Sequence, residues 1–275
     1  MRNPRPTEEA YAELQQCFDF YNAELFDGQL PHCLITFQRE KRTMGYFSRK
    51  RFVRMDGTAH ADEIALNPEY FAVVPLIEVL QTVVHEMVHA WQFHFGTPSR
   101  ACYHNTEWAN KMEAVGLMPS DTGAPGGKRT GQKMGDYPVP GGRFIMATQR
   151  LLASGFAISW LDRFPAHAPV PQVSTSIAAT LKQHPASMVL EANALQEDVR
   201  DNAASLGAYA ALAFAAPAQT QSGLELQERG LGNRSNRSKY TCPGCGNGVW
   251  GKPRLNVICG DCNNKFSEEG EGHDG

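Results

Sequence analysis

In its middle, the stretch 76–95 places His85, Glu86 and His89 among residues that are apolar nearly all the way round. Its periodicity predicts a helix that is buried over most of its surface. His85 and His89 are four residues apart, so both lie on one face of that helix, about one turn from each other. Because an unpaired histidine or carboxylate is costly in a protein core, the pattern indicates that these groups bind something.

The order His85-Glu86-Met87-Val88-His89 is typical of a catalytic zinc site. Two imidazoles at this spacing can reach the same zinc ion, and Glu86 is then placed to contact a metal-bound water. Zinc lowers the pKa of that water from about 15.7 to about 7 and polarises a peptide carbonyl, while a carboxylate takes the proton. The motif therefore predicts peptide hydrolysis with Glu86 as general base and then general acid.

The residues alone offer three candidates for the third protein ligand of such a zinc site, and they favour His104, with Glu107 as a candidate hydrogen-bonding partner of the ligands. His94, five residues beyond the motif, points elsewhere and is expected to be a polar surface residue. His104 opens the next predicted helix, where a chain returning from a turn can face the metal. Glu107 or Glu113, on that same helix, would instead give a site with two histidines and one carboxylate.

Four of the seven cysteines form two close pairs near the C-terminus. Cys242 and Cys245 make one C-x-x-C pair, Cys259 and Cys262 make the other, and 13 residues separate the pairs. This spacing predicts a zinc ribbon, in which four thiolates close a tetrahedral structural site. Metal binding would itself stabilise this small unit, which has little apolar core.

The rest of the composition indicates a cytoplasmic protein. An odd number of cysteines argues against a disulfide framework, and Cys17, Cys33 and Cys102 are expected to be ordinary thiols in a reducing compartment. The first ten residues lack the apolar core of a signal peptide. The longest apolar run is too short to span a bilayer, so no membrane partner is expected.

Two local basic runs suggest a nucleic-acid partner, although the net charge of the chain is -3. Residues 229–254 contain six basic residues and no acidic one, with Tyr240 and Trp250 among them, and residues 39–54 contain seven basic residues against Glu40. Such side chains can follow phosphates and stack on unpaired bases, so single-stranded or damaged DNA is an expected partner. Alternatively, the first run balances the charge of four thiolates, and the second is the solvated face of a hairpin.

The residues around the histidine motif resemble the SprT-like metallopeptidase family. The resemblance rests on His85-Glu86-Met87-Val88-His89-Ala90-Trp91, on His104-Asn105-Thr106-Glu107-Trp108 and on Met112. It strengthens the prediction that His104 is the third zinc ligand. Asn105 stands where glycine is common in the family, which should not disturb the metal. Many proteins of the family also carry a C-terminal zinc ribbon.

The resemblance also implies an α+β, zincin-like fold, in which helices pack on a small mixed sheet and a strand edge holds the substrate extended. By position, that edge would be residues 63–67. Periodicity predicts helices at 7–26, 76–95, 106–115 and 144–153, and strands at 34–37, 45–48, 63–67 and 156–160. Residues 120–142 are expected to be loop, with the glycine-rich residues 126–133 bordering the cleft, and residues 186–215 could form a further helix.

The predicted domains are a peptidase domain over residues 7–162, an Ala/Gln/Pro-rich insertion or linker over 163–235, the zinc ribbon over 236–267 and a disordered acidic tail over 268–275. The predicted function is a zinc-dependent endopeptidase with one catalytic and one structural zinc. The resemblance implies protein substrates, including proteins bound or crosslinked to DNA. The alternatives are a nucleic-acid-binding regulatory protein with two structural zinc sites, and a metal-dependent hydrolase that acts on a non-peptide bond.

Overall fold

The computed structural model describes residues 5–40, 43–100, 103–166, 224, 226–227 and 237–269. The chain divides into two compact units, residues 1–228 and residues 229–275, which we name the N-terminal unit and the C-terminal unit. Each unit has a hydrophobic core of its own. The predicted α+β class is confirmed by helices combined with small sheets, while the zincin-like assignment stays a prediction.

The first helix, α1 (Pro6–Phe26), forms where apolar residues recur every three or four positions. Pro6 suits a helix start because proline lacks the N–H that the first turn leaves unpaired. The chain leaves the helix through Asp27, whose φ of 58° is left-handed. The buried face of α1 packs into the main core through Leu14, Phe18, Tyr21 and Leu25.

Three strands form the sheet of the N-terminal unit, namely β1 (Leu34–Phe37), β2 (Gly45–Val53) and β3 (His60–Leu66). β3 is the central strand, parallel to β1 and antiparallel to β2. The prediction that residues 63–67 form a substrate-binding edge is therefore wrong, because both sides of β3 are already paired. The antiparallel edge of this sheet is β2.

Three more helices surround the core: α2 (Leu76–Phe95), α3 (Thr106–Val115) and α4 (Arg143–Ala153). α2 is the most deeply buried, with Val84, Met87 and Val88 fully enclosed. α4 packs on α1, where the ring of Phe144 stacks on that of Tyr21 at 5.9 Å, and the Tyr21 hydroxyl hydrogen-bonds to Thr148 at 2.7 Å. These helix boundaries match the predicted ones to within one residue.

A two-stranded hairpin lies within and beside the segment that was expected to be loop. β4 (Leu117–Ser120) follows α3 through Gly116, whose φ is 94° and where a Cβ atom would lie 2.7 Å from the Phe144 nitrogen, so glycine is required. β4 pairs antiparallel with β5 (Gly135–Pro138). Pro119 and Pro138 make these strands hard to predict from the sequence. Proline has no N–H to donate to a neighbouring strand, so it is tolerated only in edge strands such as these.

The predicted strand at residues 156–160 is wrong. This segment is irregular and is bound to α1 instead: Ser159 donates its backbone N–H to Glu13 at 2.9 Å, and the Trp160 indole N–H donates to Glu9 at 2.7 Å. Two carboxylates on α1 therefore take the place of a neighbouring strand.

The C-terminal unit is built on a three-stranded antiparallel sheet of β6 (Ser238–Thr241), β7 (Gly248–Gly251) and β8 (Ser267–Glu269), with β6 in the centre. β8 extends to Glu269, two residues into the segment predicted as an acidic tail. Tyr240 is buried between the strands, where its hydroxyl donates to the Lys252 carbonyl at 2.6 Å and accepts from the Leu255 N–H at 2.9 Å.

Several predictions from the sequence fall on residues that the structure does not describe. These are the possible helix at 186–215, nearly all of the segment 167–235, the residues after 269, and Cys102. Cys17 and Cys33 are buried, unbridged thiols. Among the described helices, none combines the length and hydrophobicity that a membrane-spanning helix needs.

Glu78 is buried in the first turn of α2, with only 5 % of the residue exposed. Within the described residues its Oε1 atom has no hydrogen-bond partner. A helix N-terminus favours negative charge, but burial dominates and raises the pKa of Glu78 from 4.5 to about 7. The penalty for ionising it in the folded protein is absent below pH 4.5, grows between pH 4.5 and 7, and is fully present above pH 7.

The substitution Glu78→Gln should therefore stabilise the protein more at high pH. We expect the gain in the free energy of unfolding to be about 2–3 kcal/mol larger at pH 8 than at pH 5, because only the parent carries the ionised carboxylate. Urea unfolding of both proteins at the two pH values measures this. Glu8→Gln, at an exposed position in the first turn of α1, is the control and should change stability by less than about 0.5 kcal/mol. Equal gains at both pH values would contradict the ionisation penalty.

Candidate metal centre

Three histidine side chains meet beside α2. His85 and His89 come from consecutive turns of this helix, and His104 comes from the residue that precedes the Asn105 N-cap of α3. Their ring centroids lie 4.8 to 5.6 Å apart. One nitrogen from each ring falls within 4.8 Å of the others, and the closest pair is Nε2 of His89 with Nε2 of His104, 3.1 Å apart.

This arrangement fits a zinc ion. A tetrahedral zinc with bonds of about 2.0–2.1 Å holds its nitrogen ligands about 3.3 Å apart, close to the spacing of the nearest pair. The Nδ1 atom of His104 lies 3.2 Å from the Gly131 carbonyl, which can only accept a hydrogen bond, so Nδ1 carries the proton. Nε2 of His104 then directs its lone pair towards His89, and a shared cation satisfies that geometry.

Asp136 on β5 orients the first histidine. Its Oδ2 atom lies 2.8 Å from Nδ1 of His85, so Nδ1 donates and Nε2 is left to bind a metal. Gln81, one turn earlier on α2, donates its side-chain N–H to both the backbone carbonyl and the Oδ1 atom of Asp136, at 2.9 and 2.8 Å. The carboxylate is buried, and each of its oxygens has a defined partner. Such outer hydrogen bonds fix the tautomer and ring orientation of a ligand.

The electrostatics keep two of the histidines neutral. Burial and the neighbouring His85 hold the pKa of His89 well below its usual range, and the same two effects lower the pKa of His104 to about 4. Burial acts in the same direction at His85, but the hydrogen bond to Asp136 and the charge of Glu86 outweigh it and raise its pKa. Neutral imidazole is the form that binds zinc, so His89 and His104 are in a metal-binding state at neutral pH.

Glu86 lies on α2 beside the three imidazoles. Burial raises the pKa of its carboxyl group, although the charge of His85 and a hydrogen bond from the Phe47 backbone N–H oppose that rise. Phe47 belongs to β2, so the edge strand of the sheet contacts this carboxylate directly. The fully buried ring of Trp108 packs against all three histidines, with centroids 4.3 to 5.4 Å away.

The two carboxylate alternatives for the third ligand are placed elsewhere. Glu107 accepts hydrogen bonds from Gln92 at 2.8 Å and from the Thr97 N–H at 2.7 Å, so it holds the turn after α2. Among the described residues, its hydrogen bonds reach none of the three clustered histidines. Glu113 pairs with Arg129. The expectation that Glu107 hydrogen-bonds to a ligand is therefore wrong, and Asp136 occupies that role.

His94 is an exposed polar residue, as predicted. Its Nε2 atom lies 2.6 Å from Oδ2 of the buried Asp62 on β3. It points away from the three clustered histidines, as expected, but it ties the last turn of α2 to the sheet.

Sequence reasoning missed Asp136. It lies 51 residues beyond His85, within the glycine- and proline-rich stretch that was expected to be loop. No local pattern marks it, because its role depends on the β4–β5 pairing. Gly131, within the glycine-rich residues 126–133, exchanges two backbone hydrogen bonds with His104, at 2.8 and 3.1 Å, so this loop adjoins the histidine cluster.

The four cysteines of the C-terminal unit form a second cluster. The Sγ atoms of Cys242, Cys245, Cys259 and Cys262 all lie within 4.8 Å of one another. The nearest pairs are 3.3 to 3.6 Å apart, far longer than a disulfide bond of about 2.05 Å. Four thiolates converging without bridging fit one tetrahedral zinc ion.

Two equivalent turns build this cluster. In the first, the Cys242 N–H donates to Asn247 and the Gly246 N–H donates to Cys242; in the second, Cys259 bonds in the same way with Asn264 and Asn263. Gly246 and Asn263 each follow the second cysteine of a pair, and both have a left-handed φ, 75° and 54°. Burial opposes ionisation of Cys242, but N–H groups of Cys245 and Gly244 outweigh it and lower its pKa to about 7.

The two aromatic residues of the C-terminal basic run have different positions. Tyr240 is buried and hydrogen-bonded, so it is part of the core and is not free to stack on a base. Trp250 on β7 is 65 % exposed and pairs in register with Lys239 on β6. A flat aromatic surface beside a basic residue therefore lies on one strand pair.

Comparison with known proteins identifies the family. The SprT-like family model matches residues 14–126, which include all three histidines and Glu86 but neither Asp136 nor the four clustered cysteines. A protein of Salmonella typhimurium, described as an uncharacterized protein in the mucB 3′ region, is 58 % identical over 59 residues, which cover 22 % of this chain and 80 % of that protein. The chain belongs to the SprT-like family. No solved structure matches it. Membership of this family indicates a metallopeptidase-like domain.

Removing the charge of Asp136 should weaken zinc binding by this SprT-like protein. In the parent, the two carboxylate oxygens of Asp136 accept one hydrogen bond each, from Gln81 and from His85. The side chain of Asp136→Asn has a single oxygen, so one of these two donors loses its acceptor. We expect zinc affinity at the histidine site to fall about 10- to 100-fold. Competition with a chelator of known affinity measures it. Asp62→Asn is the matched control, since it changes the other buried aspartate–histidine pair, and it should leave zinc affinity unchanged. Equal losses in both variants would indicate a general effect on the fold.

The cysteine cluster should bind its own zinc ion independently of the histidines. Cys259→Ser removes one thiolate from the closed site, so we expect bound zinc to fall from two ions per chain to one, as measured by elemental analysis. Cys33→Ser, at a buried cysteine outside both clusters, is the control and should retain both ions. Loss of both ions from Cys259→Ser would show that the two sites are coupled.

Proposed function

We propose that this SprT-like protein is a zinc-dependent endopeptidase with its active site at His85, His89, His104 and Glu86. The observation that carries the proposal is the buried Glu86 carboxylate beside three imidazole ligands, in contact with a strand edge. A structural zinc site uses four protein ligands, whereas three ligands and a neighbouring carboxylate are typical of hydrolytic zinc sites. The histidine cluster has three ligands and a neighbouring carboxylate, whereas the cysteine cluster has four ligands.

The residues divide the chemistry between them. Zinc held by the three histidines would polarise the peptide carbonyl and lower the pKa of the attacking water. Glu86 takes a proton from that water and returns it to the amide nitrogen as the C–N bond breaks, so one carboxylate acts first as base and then as acid. Burial raises the pKa of Glu86, which makes its carboxylate a stronger base than that of an exposed glutamate.

The edge strand β2 is the best candidate to hold a protein substrate. In the described residues β2 pairs only with β3, and the Phe47 N–H points away from β3 towards Glu86. An extended peptide added along this edge would form backbone hydrogen bonds and pass beside the three histidines. Backbone pairing of this kind favours unfolded or locally extended protein segments as substrates.

Proteins bound or crosslinked to DNA are the proposed substrate class. The C-terminal unit supports this through the exposed Trp250, which can stack on a base, and through its basic residues, which can contact phosphates. Four ionised thiolates around one zinc carry about two negative charges, which accounts for some of these basic residues. It does not account for an exposed tryptophan.

The substitution Glu86→Gln should abolish peptide hydrolysis while zinc stays bound. The amide cannot take the proton from water, so we expect the rate to fall about 100- to 10,000-fold. Cleavage of a DNA-binding protein is followed by gel, with and without single-stranded DNA, and zinc content is measured on the same samples. Glu78→Gln is the matched control, because it changes another buried glutamate of α2 and should leave cleavage intact.

The outcomes separate the competing functions. Cleavage by the parent alone, increased by DNA, supports the peptidase and its DNA-linked substrates. Cleavage at the same rate with and without DNA would support the peptidase function and argue against a DNA partner. If zinc-loaded parent and Glu86→Gln are equally inert on proteins, a nucleic-acid-binding protein with two structural zinc sites is favoured. Turnover of small esters or amides without protein cleavage would indicate a hydrolase for another bond.

A further inference from the structure

The edge strand β2 and the helix α2 run side by side, and three contacts define the line along which they meet. At the start of β2, a Cβ atom on Gly45 would lie 2.9 Å from Cγ2 of Thr82. Further along, the Phe47 N–H donates to Glu86, and the centroid of the Phe47 ring lies 6.1 Å from that of Phe93. The strand and the helix therefore advance in the same direction, and every second residue of β2 faces the helix.

Phe93 lies on the same face of α2 as Glu86. The two residues are seven positions apart, which is about two turns or roughly 10 Å of helix. His89, four residues before Phe93, lies on that face as well. The surface beside β2 that carries the general base and the metal ligands therefore continues along α2 to Phe93.

The ring of Phe93 is partly exposed and lies outside the main core. Phe47 packs against that core, but Phe93 is not among the described residues that do so. Its ring contacts those of Phe47 and His94, and the guanidinium of the exposed Arg49 lies 5.9 Å from its centroid. An aromatic ring in this position, beside an edge strand, is suited to bind an apolar group of a ligand.

A peptide that pairs with β2 would present alternate side chains to this surface. Residues directly opposite each other on neighbouring strands point to the same face of the sheet. The substrate residue across from Phe47 would therefore face the histidine cluster, and the residue across from Arg49, two positions along, would face Phe93. The residue between them would point to the other face of the sheet, on the side of Ser48.

We propose that Phe93, Phe47 and Arg49 form a substrate subsite for one large apolar or aromatic side chain. The two rings supply apolar surface, and the guanidinium of Arg49 covers it and can stack on an aromatic substrate ring. The same positive charge disfavours lysine or arginine in the subsite. The roughly 10 Å of helix between Glu86 and Phe93 corresponds to about three residues of extended chain, which sets the distance from the cleaved bond.

This inference rests on the proposed peptidase function and adds which protein segments are selected. An extended segment is cleaved efficiently when it carries a large apolar residue two or three positions from the cleaved bond. The positions on either side of that residue point to the opposite face of the sheet and impose no such requirement. The selectivity therefore has the period of two that is characteristic of a paired strand.

The first test maps the cleavage sites. The full-length, zinc-loaded protein is incubated with reduced and alkylated casein and serum albumin, and mass spectrometry identifies each cleaved bond. Sites cleaved by the parent should show Phe, Tyr, Trp, Leu or Met enriched about 10-fold at one position, two or three residues from the cleaved bond. The positions adjacent to it should show no enrichment, and Lys and Arg should be depleted in the subsite.

Three variants and a control identify the residues responsible. Phe93→Ala should lose the enrichment, Phe93→Leu should retain it, and Arg49→Gln should lose only the depletion of Lys and Arg. Phe95→Ala is the matched control, because it removes another aromatic ring from the end of α2, one that is 51 % exposed, and it should keep the parental pattern. Zinc content and the urea unfolding midpoint confirm that each variant is folded. Enrichment that is absent from the parent, or unchanged in Phe93→Ala, would overturn the proposal.

A binding measurement without turnover separates this inference from the proposed function. Zinc-loaded protein carrying Glu86→Gln is titrated with a short, polar, fluorescent peptide that has a single central Phe, and with the same peptide carrying Ala instead. The Phe peptide should bind about 10-fold more tightly, and adding Phe93→Ala should make the two affinities equal. An unchanged difference in the presence of Phe93→Ala would remove the subsite.

The two measurements can fail independently of each other. If the parent cleaves no protein while the Phe peptide still binds more tightly through Phe93, the peptidase function is removed and the subsite remains. If the parent cleaves proteins while Phe93→Ala alters neither the cleavage pattern nor the relative affinity, the peptidase remains and the subsite is removed.

Discussion

The fold depends on one constraint, which is that a helix through the core carries three neighbouring groups whose burial is costly without a partner. α2 is apolar over most of its surface, and yet His85, Glu86 and His89 lie in its central turns. Leaving such groups unpaired would cost several kcal/mol. Each therefore has a partner from a different part of the chain: Asp136 from β5, the Phe47 N–H from β2, and His104 from the turn before α3. The candidate site is the place where these partners converge.

This constraint explains which parts of the structure the sequence could predict. Helix boundaries follow from local apolar spacing, so α1, α2, α3 and α4 were predicted to within one residue. Strand order is not local, and for that reason residues 63–67 were assigned to an edge when β3 lies in the centre. Apolar residues alternate over 156–160 as they do in a strand. In the structure, however, the N–H groups of Ser159 and Trp160 donate to Glu13 and Glu9 on α1 and not to another strand. In each case the missing information was a partner distant in sequence.

The two metal clusters illustrate the same distinction. All four cysteines lie between residues 242 and 262, in two turns with the same hydrogen bonds, so spacing alone predicted the whole set. The histidine cluster needs a turn, a hairpin and a helix to be brought together. Two of its histidines are evident from their spacing. His104 is favoured by its position at the start of the next helix and then by the family resemblance, and Asp136 is not predicted at all. A prediction from spacing therefore succeeds where the ligands belong to one local unit, and it fails where the supporting groups lie on other elements.

The placement of these partners along α2 has a consequence for how a metal would bind. Gln81 near the start of the helix is bonded to β5, the central His85 and Glu86 are bonded to β5 and β2, and His94 in the last turn is bonded to β3. From Gln81 to His94, buried and partly buried hydrogen bonds therefore hold the helix to β5 and to the three-stranded sheet. The bonds from Asp136 to His85 and from the Gly131 carbonyl to His104 fix the orientation of these two rings from outside the cluster. The ligands, the general base and the strand edge thus form one preorganised unit. A shift of β2 would move Glu86, and a shift of β5 would move the ring of His85, so either would change the geometry of the metal site.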